Sequence, residues 1–388
     1  MSSHPPPPRL KGRGSARRLE GRFDPYTREA LDDDWGPGAG EDAATSRVDT
    51  AADAAPEGID ATWVPAPDAA PATTVTIERA RSILSRNVSP DVPFEASVNT
   101  YRGCEHGCAY CYARPSHAYL DLSPGLDFET RLYAKTNAVE LLRAELARPG
   151  YAVSAINIGA NTDPYQPIER SERLTRGVIE VLAETHHPLT IVTKNALVCR
   201  DIDLLAPMAA KKLVTVFISI SQLDNDLSRI LEPRASAPAN RLRAVRELAS
   251  AGIPTAVLVA PIIPFINDQY VEAVLDASHD AGAFAASYTI IRLPYELKAL
   301  WKDWLTTHFP DRAERVMERI RDLRGGRENV SEFGARMKGQ GIWGDLIRQR
   351  FRKACTRLGL AHASQSIPTL DTSMFNPPSS DTRQGQLF

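Results

Sequence analysis

The sequence predicts an α/β fold: a partial (β/α)6 TIM-like barrel with a helical C-terminal extension and disordered N- and C-terminal tails. Three observations carry that prediction. Six short apolar runs rich in β-branched residues alternate with helix-like stretches, the pattern of parallel strands joined by right-handed crossovers. Six repeats are too few to close an eight-fold barrel, so the barrel is open. The first run also leads directly into a loop carrying three of the five cysteines. Such folds place their sites at the carboxyl ends of the strands.

In chain order, residues 1–75 read as a disordered arm. Pro5–Pro8 open it, a basic stretch follows (Arg9, Lys11, Arg13, Arg17, Arg18, Arg22), and an acidic Ala- and Pro-rich stretch closes it. Few aliphatic side chains are available there to offset the entropy of ordering. The basic stretch is able to touch phosphates, although charge runs of this kind are usually just solvated. The barrel spans 76–295, with strands expected at 96–101, 152–159, 189–193, 213–220, 255–263 and 285–293. Helices at 139–148, 174–184, 201–208, 240–251 and 269–281 fill the gaps. Amphipathic patterns at 296–308, 311–323 and 343–358 form the helical extension, 296–366, which packs beside the barrel. Residues 367–388 are polar and Pro/Ser-rich and read as a flexible tail.

Bulk properties exclude several classes. With 388 residues and 43% hydrophobic content the chain has room for a sizeable core. A formal net charge of −2 gives no global push toward nucleic acid or an anionic membrane. No run of apolar residues is long enough to span a bilayer. The N-terminus lacks the apolar stretch of a secretory signal, so a cytoplasmic protein without membrane partners is expected.

Cys104, Cys108 and Cys111 are spaced C-x3-C-x2-C, too tightly for a disulfide framework, and so read as metal ligands. They offer three thiolates to one centre and withhold a fourth. Zinc and iron–sulfur clusters both take thiolates, and an open coordination position separates a catalytic metal from a structural one. The alternative is a Cys3His zinc site with His106 or His117 as fourth ligand. Cys199 and Cys355 are isolated and read as small buried hydrophobes.

The run Asn99-Thr-Tyr-Arg-Gly-Cys-Glu-His-Gly-Cys-Ala-Tyr-Cys-Tyr-Ala-Arg114 resembles the signature of the radical S-adenosylmethionine superfamily, within it the spore photoproduct lyase-like subgroup of uncharacterised bacterial proteins. Gly159-Ala-Asn-Thr-Asp-Pro-Tyr-Gln-Pro-Ile-Glu169 and Leu231-Glu-Pro-Arg-Ala-Ser236 extend the resemblance. It implies a 4Fe–4S cluster on Cys104, Cys108 and Cys111, S-adenosylmethionine (SAM) on the open iron, and reductive cleavage of SAM to a 5′-deoxyadenosyl radical. It implies a one-electron reductant of flavodoxin or ferredoxin type. It places Tyr110 near the adenine and Gly159, with Thr162 or Asp163, at the methionine amino group. Lys194 falls on the carboxylate, and Ser219 or Ser221 on the ribose. Read without the resemblance, 159–163 is simply a turn before Pro164. Glu232 and Arg234 are expected to form a supporting ion pair, and Arg241 faces either the same way or the helix surface.

One departure bears on the substrate. Photoproduct lyases return a hydrogen atom from a cysteine near the strand-two turn, and Ala160, Asn161 and Thr162 stand there in this chain. Lyase chemistry therefore needs Tyr165 or a distant thiol as a substitute. A separate signal ends the chain. Gln384-Gly-Gln-Leu-Phe388 resembles the peptides that dock on the bacterial replication sliding clamp through Gln384, Leu387 and Phe388. The leading expectation is a radical SAM enzyme acting on nucleic acid, in repair or modification, without a choice between lyase and transferase. Radical modification of a peptide or protein is the second reading. A structural zinc protein adapting DNA to the clamp, without catalysis, is the third.

Overall fold

The computed structural model describes residues 10–23, 72–362 and 369–378. Among these, eleven strands occur in chain order: β1 Thr74–Glu78, β2 Leu84–Arg86, β3 Ala96–Val98, β4 Tyr101–Arg102, β5 Arg131–Lys135, β6 Ile156–Ile158, β7 Leu189–Thr193, β8 Val214–Ser219, β9 Thr255–Ile262, β10 Ala285–Ile290 and β11 Ala361–His362. The larger sheet runs β11-β10-β9-β8-β7-β6-β3-β2. Every neighbour from β3 to β10 is parallel. These are the six expected strands in sequential order. β2 adds an antiparallel edge on β3, and β11 a parallel edge beside β10. The edges do not pair with each other, so the barrel is partial.

Strand alternation decides which side chains meet the helices. Ile156, Ile158, Leu189, Ile191, Val216 and Ile218 join Leu142, Val178, Leu182, Leu205 and Leu248 in one apolar core. Each such side chain contributes about 1.5–3 kcal/mol by leaving water. The alternate positions Asn157, Thr190 and Thr215 lie in adjacent register on the other face, and Thr190 Oγ1 donates to Asn157 Oδ1 at 2.9 Å. The C-terminal helices Leu297–His308, Ala313–Asp322 and Gly341–Leu358 add Trp301, Trp304, Val316, Ile320 and Phe351 to the same core. After Asp322 the chain returns along β10. Buried Arg324 donates to Ile291 O at 2.8 Å and Arg336 O at 2.7 Å. Arg336 then reaches across the open edge of the barrel to Asp91 at 2.5 Å.

Three expectations are corrected. The strand expected at 96–101 is broken: β3 stays in the barrel, whereas β4 joins a second sheet ordered β1-β5-β4. Within the expected disordered arm, residues 10–23 pack on the barrel. What holds 10–23 is charge and backbone pairing, to which a count of aliphatic residues is blind. Arg18 meets Asp127 at 2.9 Å, Arg22 meets Glu296 at 3.0 Å, and Arg17 pairs with Asp303. Residues 369–378, expected as flexible tail, are also docked. Asn376 N donates to Thr185 O at 2.9 Å, and Phe375 packs edge-on to His187. The remaining arm, including its acidic stretch, and the clamp-like Gln384, Leu387 and Phe388 lie outside the described residues. Among the described residues no helix is long and apolar enough to cross a membrane.

Candidate active site

The cysteine loop links β4 to a 3-10 helix, Arg114–Leu120, at the carboxyl end of β3. Cys104 and Cys108 are buried and Cys111 is partly exposed. The loop's shape is fixed by Cys104 N donating to Phe128 O at 2.8 Å and Ala109 N donating to Leu231 O at 2.9 Å. Arg114, fully buried, is the centre of its support. It donates to Cys108 O at 2.9 Å, Gly107 O at 3.1 Å and Gly125 O at 2.8 Å, and pairs with buried Glu129 at 2.5 Å. The N-terminal segment completes that support. Gly14 N donates to Glu129 Oε2 at 3.0 Å, and Arg13 donates to Glu129 O at 3.0 Å. A Cβ on Gly14 would fall 1.7 Å from Gly107 O, so only glycine allows this contact.

Burial pushes the Cys104 thiol well above its ordinary value, and its neighbours Asp163, Cys108 and Cys111 push the same way. Cys108 is pushed up to about 12 by burial, against the pull of Lys194. Thiols so placed stay protonated until a cation compensates them, and the irons of a cluster are such cations. Three soft thiol donors on one loop, two of them buried, are a set that fits a cluster. Among the described residues no three His, Cys, Asp or Glu side chains are grouped to hold a single metal ion. The histidines of the zinc alternative are committed elsewhere. His106 Nδ1 lies 3.3 Å from Asp163 Oδ2, without hydrogen-bond alignment. His106 Nε2 accepts from Asn195 at 3.3 Å. His117 Nε2 lies 3.0 Å from Arg131 O. The other thiols lie apart from the loop: Cys199 Sγ is 4.0 Å from Ala244 O, and Cys355 is buried in the apolar core.

The strand-end residues divide into those that build and those that remain free. Tyr110 donates its hydroxyl to Glu232, which is paired with buried Arg241. Arg241 also donates to Ser219 O at 3.0 Å and Ser236 O at 2.6 Å. This corrects the expected pair, since Arg234 instead meets Glu105 at 3.0 Å. Ser219 Oγ donates to Ala260 O at 3.1 Å, and Ser221 Oγ donates to Gln222 Oε1. Thr162 Oγ1 donates to Tyr101 O at 3.1 Å. Asp163 accepts from Thr193 Oγ1 at 2.7 Å and Lys194 N at 2.8 Å. Burial opposes its charge, but His106 and these donors hold it near 2. Gly159 has φ +95°, and a Cβ there would lie 2.4 Å from Val192 O. The close approach that requires glycine is thus to β7. Lys194 differs: among the described residues its ammonium has no hydrogen-bond acceptor and lies 5.9 Å from the Tyr110 ring centre. Burial disfavours its charge, but Cys108, Glu232 and Asp163 outweigh that and raise its pKa.

Two findings concern hydrogen return. Tyr165, the expected substitute, is fully buried and donates to Asp201 at 3.0 Å. Tyr112, which the sequence reading passed over, is half exposed and donates its hydroxyl to Ala160 O in the strand-two turn. Its place immediately after Cys111 was the signal available.

Residues 98–277 match the model of the Radical SAM superfamily. An uncharacterised protein of Mycobacterium tuberculosis is 37% identical over 232 residues, 59% of this chain and 68% of that one. This chain belongs to the radical SAM superfamily. An uncharacterised protein of Methanocaldococcus jannaschii is 26% identical over 219 residues, 56% of this chain and 78% of that one. Among solved structures, a spore photoproduct lyase variant with bound AdoMet and dinucleoside spore photoproduct superposes with a TM-score of 0.53 at 16% identity. The match covers 74% of this chain and 81% of that one, and it supports the fold. The radical SAM family uses a 4Fe–4S cluster and SAM, and this chain is an enzyme of that class.

Proposed function

We propose that this chain holds the cluster on Cys104, Cys108 and Cys111 and directs radical chemistry at nucleic acid. The observation carrying the first part is the three-thiol loop set at the strand ends beside Lys194, with the remaining two cysteines elsewhere. When bound, the cluster and SAM supply a carbon-centred radical, chemistry that belongs to the cofactors. The protein's share is positioning and exclusion of solvent. Arg114 and Glu129 fix the carbonyls of Gly107 and Cys108, and so the spacing between the thiols. Residues 10–23 cover the loop's outer side and keep water from it. Lys194 offers a partly buried ammonium to the SAM carboxylate, a strand-end cation that among the described residues has no acceptor of its own. Tyr110, fixed by Glu232, presents a rigid ring beside it. Ser219, Ser221, Thr162 and Asp163 hold the turns by their own hydrogen bonds. They shape the pocket by fixing the strand-end turns around it.

The nucleic-acid target rests on the lyase-like motifs, and the absence of a cysteine at Ala160, Asn161 and Thr162 argues for a product other than a repaired dimer. Anaerobic reconstitution with iron and sulfide, followed by dithionite and SAM, tests the reaction class. Wild type is expected to form 5′-deoxyadenosine and Cys108→Ala none. A fully loaded wild type that forms no product refutes the proposal.

A further inference from the structure

Arg292 sits two residues beyond β10, at the rim of the barrel mouth. Its guanidinium lies 5.6 Å over the ring of Tyr112, the residue after Cys111. It is partly buried, yet among the described residues no carboxylate pairs with it. Nε has no hydrogen-bond partner, and Nη1 finds only the weakly accepting Met337 sulfur at 3.9 Å. Its neighbour Arg336 is neutralised by Asp91 at 2.5 Å and also donates to Ser89, so Asp91 is already committed to Arg336. Burial depresses the Arg292 pKa, and Arg336 adds to that depression. Removing a guanidinium from water without an acceptor is unfavourable, and among the described residues the fully buried arginines all have acceptors in place. Arg114 and Arg241 each have a carboxylate and backbone carbonyls.

The geometry points to Arg292 and Tyr112 as a subsite for one nucleotide of a single-stranded or locally unstacked substrate, with the guanidinium on a phosphodiester and the Tyr112 face under a base. The inference rests on the nucleic-acid reading above and sharpens it. A phosphodiester offers two oxygens to the planar array of N–H donors at the end of a guanidinium. An acidic peptide would need only the cation, but the rim pairs cations with exposed aromatic faces twice. Tyr112 is 50% exposed beneath Arg292, and Phe333 is 55% exposed with Arg336 4.7 Å over its ring. Aromatic platforms beside arginines are the chemistry of single-strand binding.

The test is equilibrium binding by the full chain, without reductant or SAM, read as fluorescence anisotropy of a labelled single-stranded oligodeoxynucleotide over a salt series. Arg292→Gln is expected to weaken binding about tenfold or more, the weight of a charge-assisted hydrogen-bonded pair. It should also lower the slope of log affinity against log salt by about 0.7, one phosphate contact on a single strand. Arg292→Lys should keep the slope and recover part of the affinity, which separates lost charge from lost folding. Tyr112→Leu should weaken binding and leave the slope unchanged. Equal affinity and slope for wild type and Arg292→Gln overturn the subsite while leaving the nucleic-acid reading standing. No binding of the oligonucleotide by wild type, with Arg292-dependent binding of a polyglutamate probe, overturns both. The 5′-deoxyadenosine assay is independent of either outcome and reports on the reaction class alone.

Discussion

On the cluster side of the barrel mouth, Arg114 is ringed by four backbone carbonyls and the Glu129 carboxylate. On the β10 side, Arg292 has a thioether at 3.9 Å and an unpartnered Nε. Both are arginines drawn from water, the first fully and the second in part. A buried charge with every acceptor in place fixes backbone geometry, and a buried charge without one is held ready for something the protein does not supply. The first describes the support of the cysteine loop, and the second the approach of a substrate.

The largest expected effect breaks the supported side. Arg114→Ala leaves Glu129 as an uncompensated buried carboxylate and releases Gly107 O and Cys108 O, so a loss of about 3–5 kcal/mol is expected. Urea unfolding of the as-purified protein measures it. A change within error of zero would mean that the loop does not depend on this ion pair.

A second effect of about 3 kcal/mol lies at the opposite end of the barrel, where the buried group is neutral. His187 is packed against Tyr151 and Phe375, and burial pulls its pKa down to about 4, against a small opposing effect of the Pro188 carbonyl. The unfolded imidazole titrates near 6.5, so below that pH the unfolded state binds a proton that the folded state refuses. The stabilisation is complete above about pH 6.5 and is lost as pH falls toward 4. His187→Gln should flatten that part of the stability–pH curve. An unaltered curve would place the acid sensitivity elsewhere.

The third prediction concerns the strap over the loop. Gly14→Ala forces a Cβ against Gly107 O, at 1.7 Å before relaxation, and costs about 1–3 kcal/mol if the segment stays docked. Release of residues 10–23 is the cheaper response, and it removes the Gly14 donor from Glu129. Hydrogen exchange should then quicken at 10–23 and at Gly107–Cys108, with the barrel strands unchanged. Unchanged exchange in the cysteine loop would separate the strap from the loop's rigidity.

What was legible in the sequence follows the same division. The six barrel strands are apolar runs bounded by turns, and the cysteine spacing is local, so both could be read directly. The supporting contacts join residues far apart in the chain. Arg336 and Asp91 are separated by 245 positions, and Gly14 and Glu129 by 115. No pattern along the chain announces such pairs, which is why 10–23 read as a solvated arm and Arg234 was matched to Glu232. Residue type alone also misassigned causes. Gly159 reads as a glycine making room for a ligand, whereas the atom it makes room for is Val192 O. Asp163 reads as a free acceptor, yet its oxygens are taken by Thr193, Tyr165 N and Lys194 N. Arg292 was invisible because its signal is a missing partner, and only a three-dimensional neighbourhood can show one.

The smallest expected effect is the most discriminating. Arg292→Met replaces the guanidinium by an unbranched apolar side chain that fits beside Met337 and the Tyr112 ring. If Arg292 were a structural cation like Arg114, its loss would cost several kcal/mol. Since it has no ionic partner to abandon, the substitution removes an uncompensated desolvation and gives up only a cation–π contact of about 0.5–1 kcal/mol. Stability should therefore change by less than about 1 kcal/mol, in either direction, while oligonucleotide binding falls. A large loss of stability would show that Arg292 serves the fold. Unfolding curves for Arg114→Ala and Arg292→Met, recorded side by side, thus decide whether the two sides of the mouth differ in role or only in the number of their contacts.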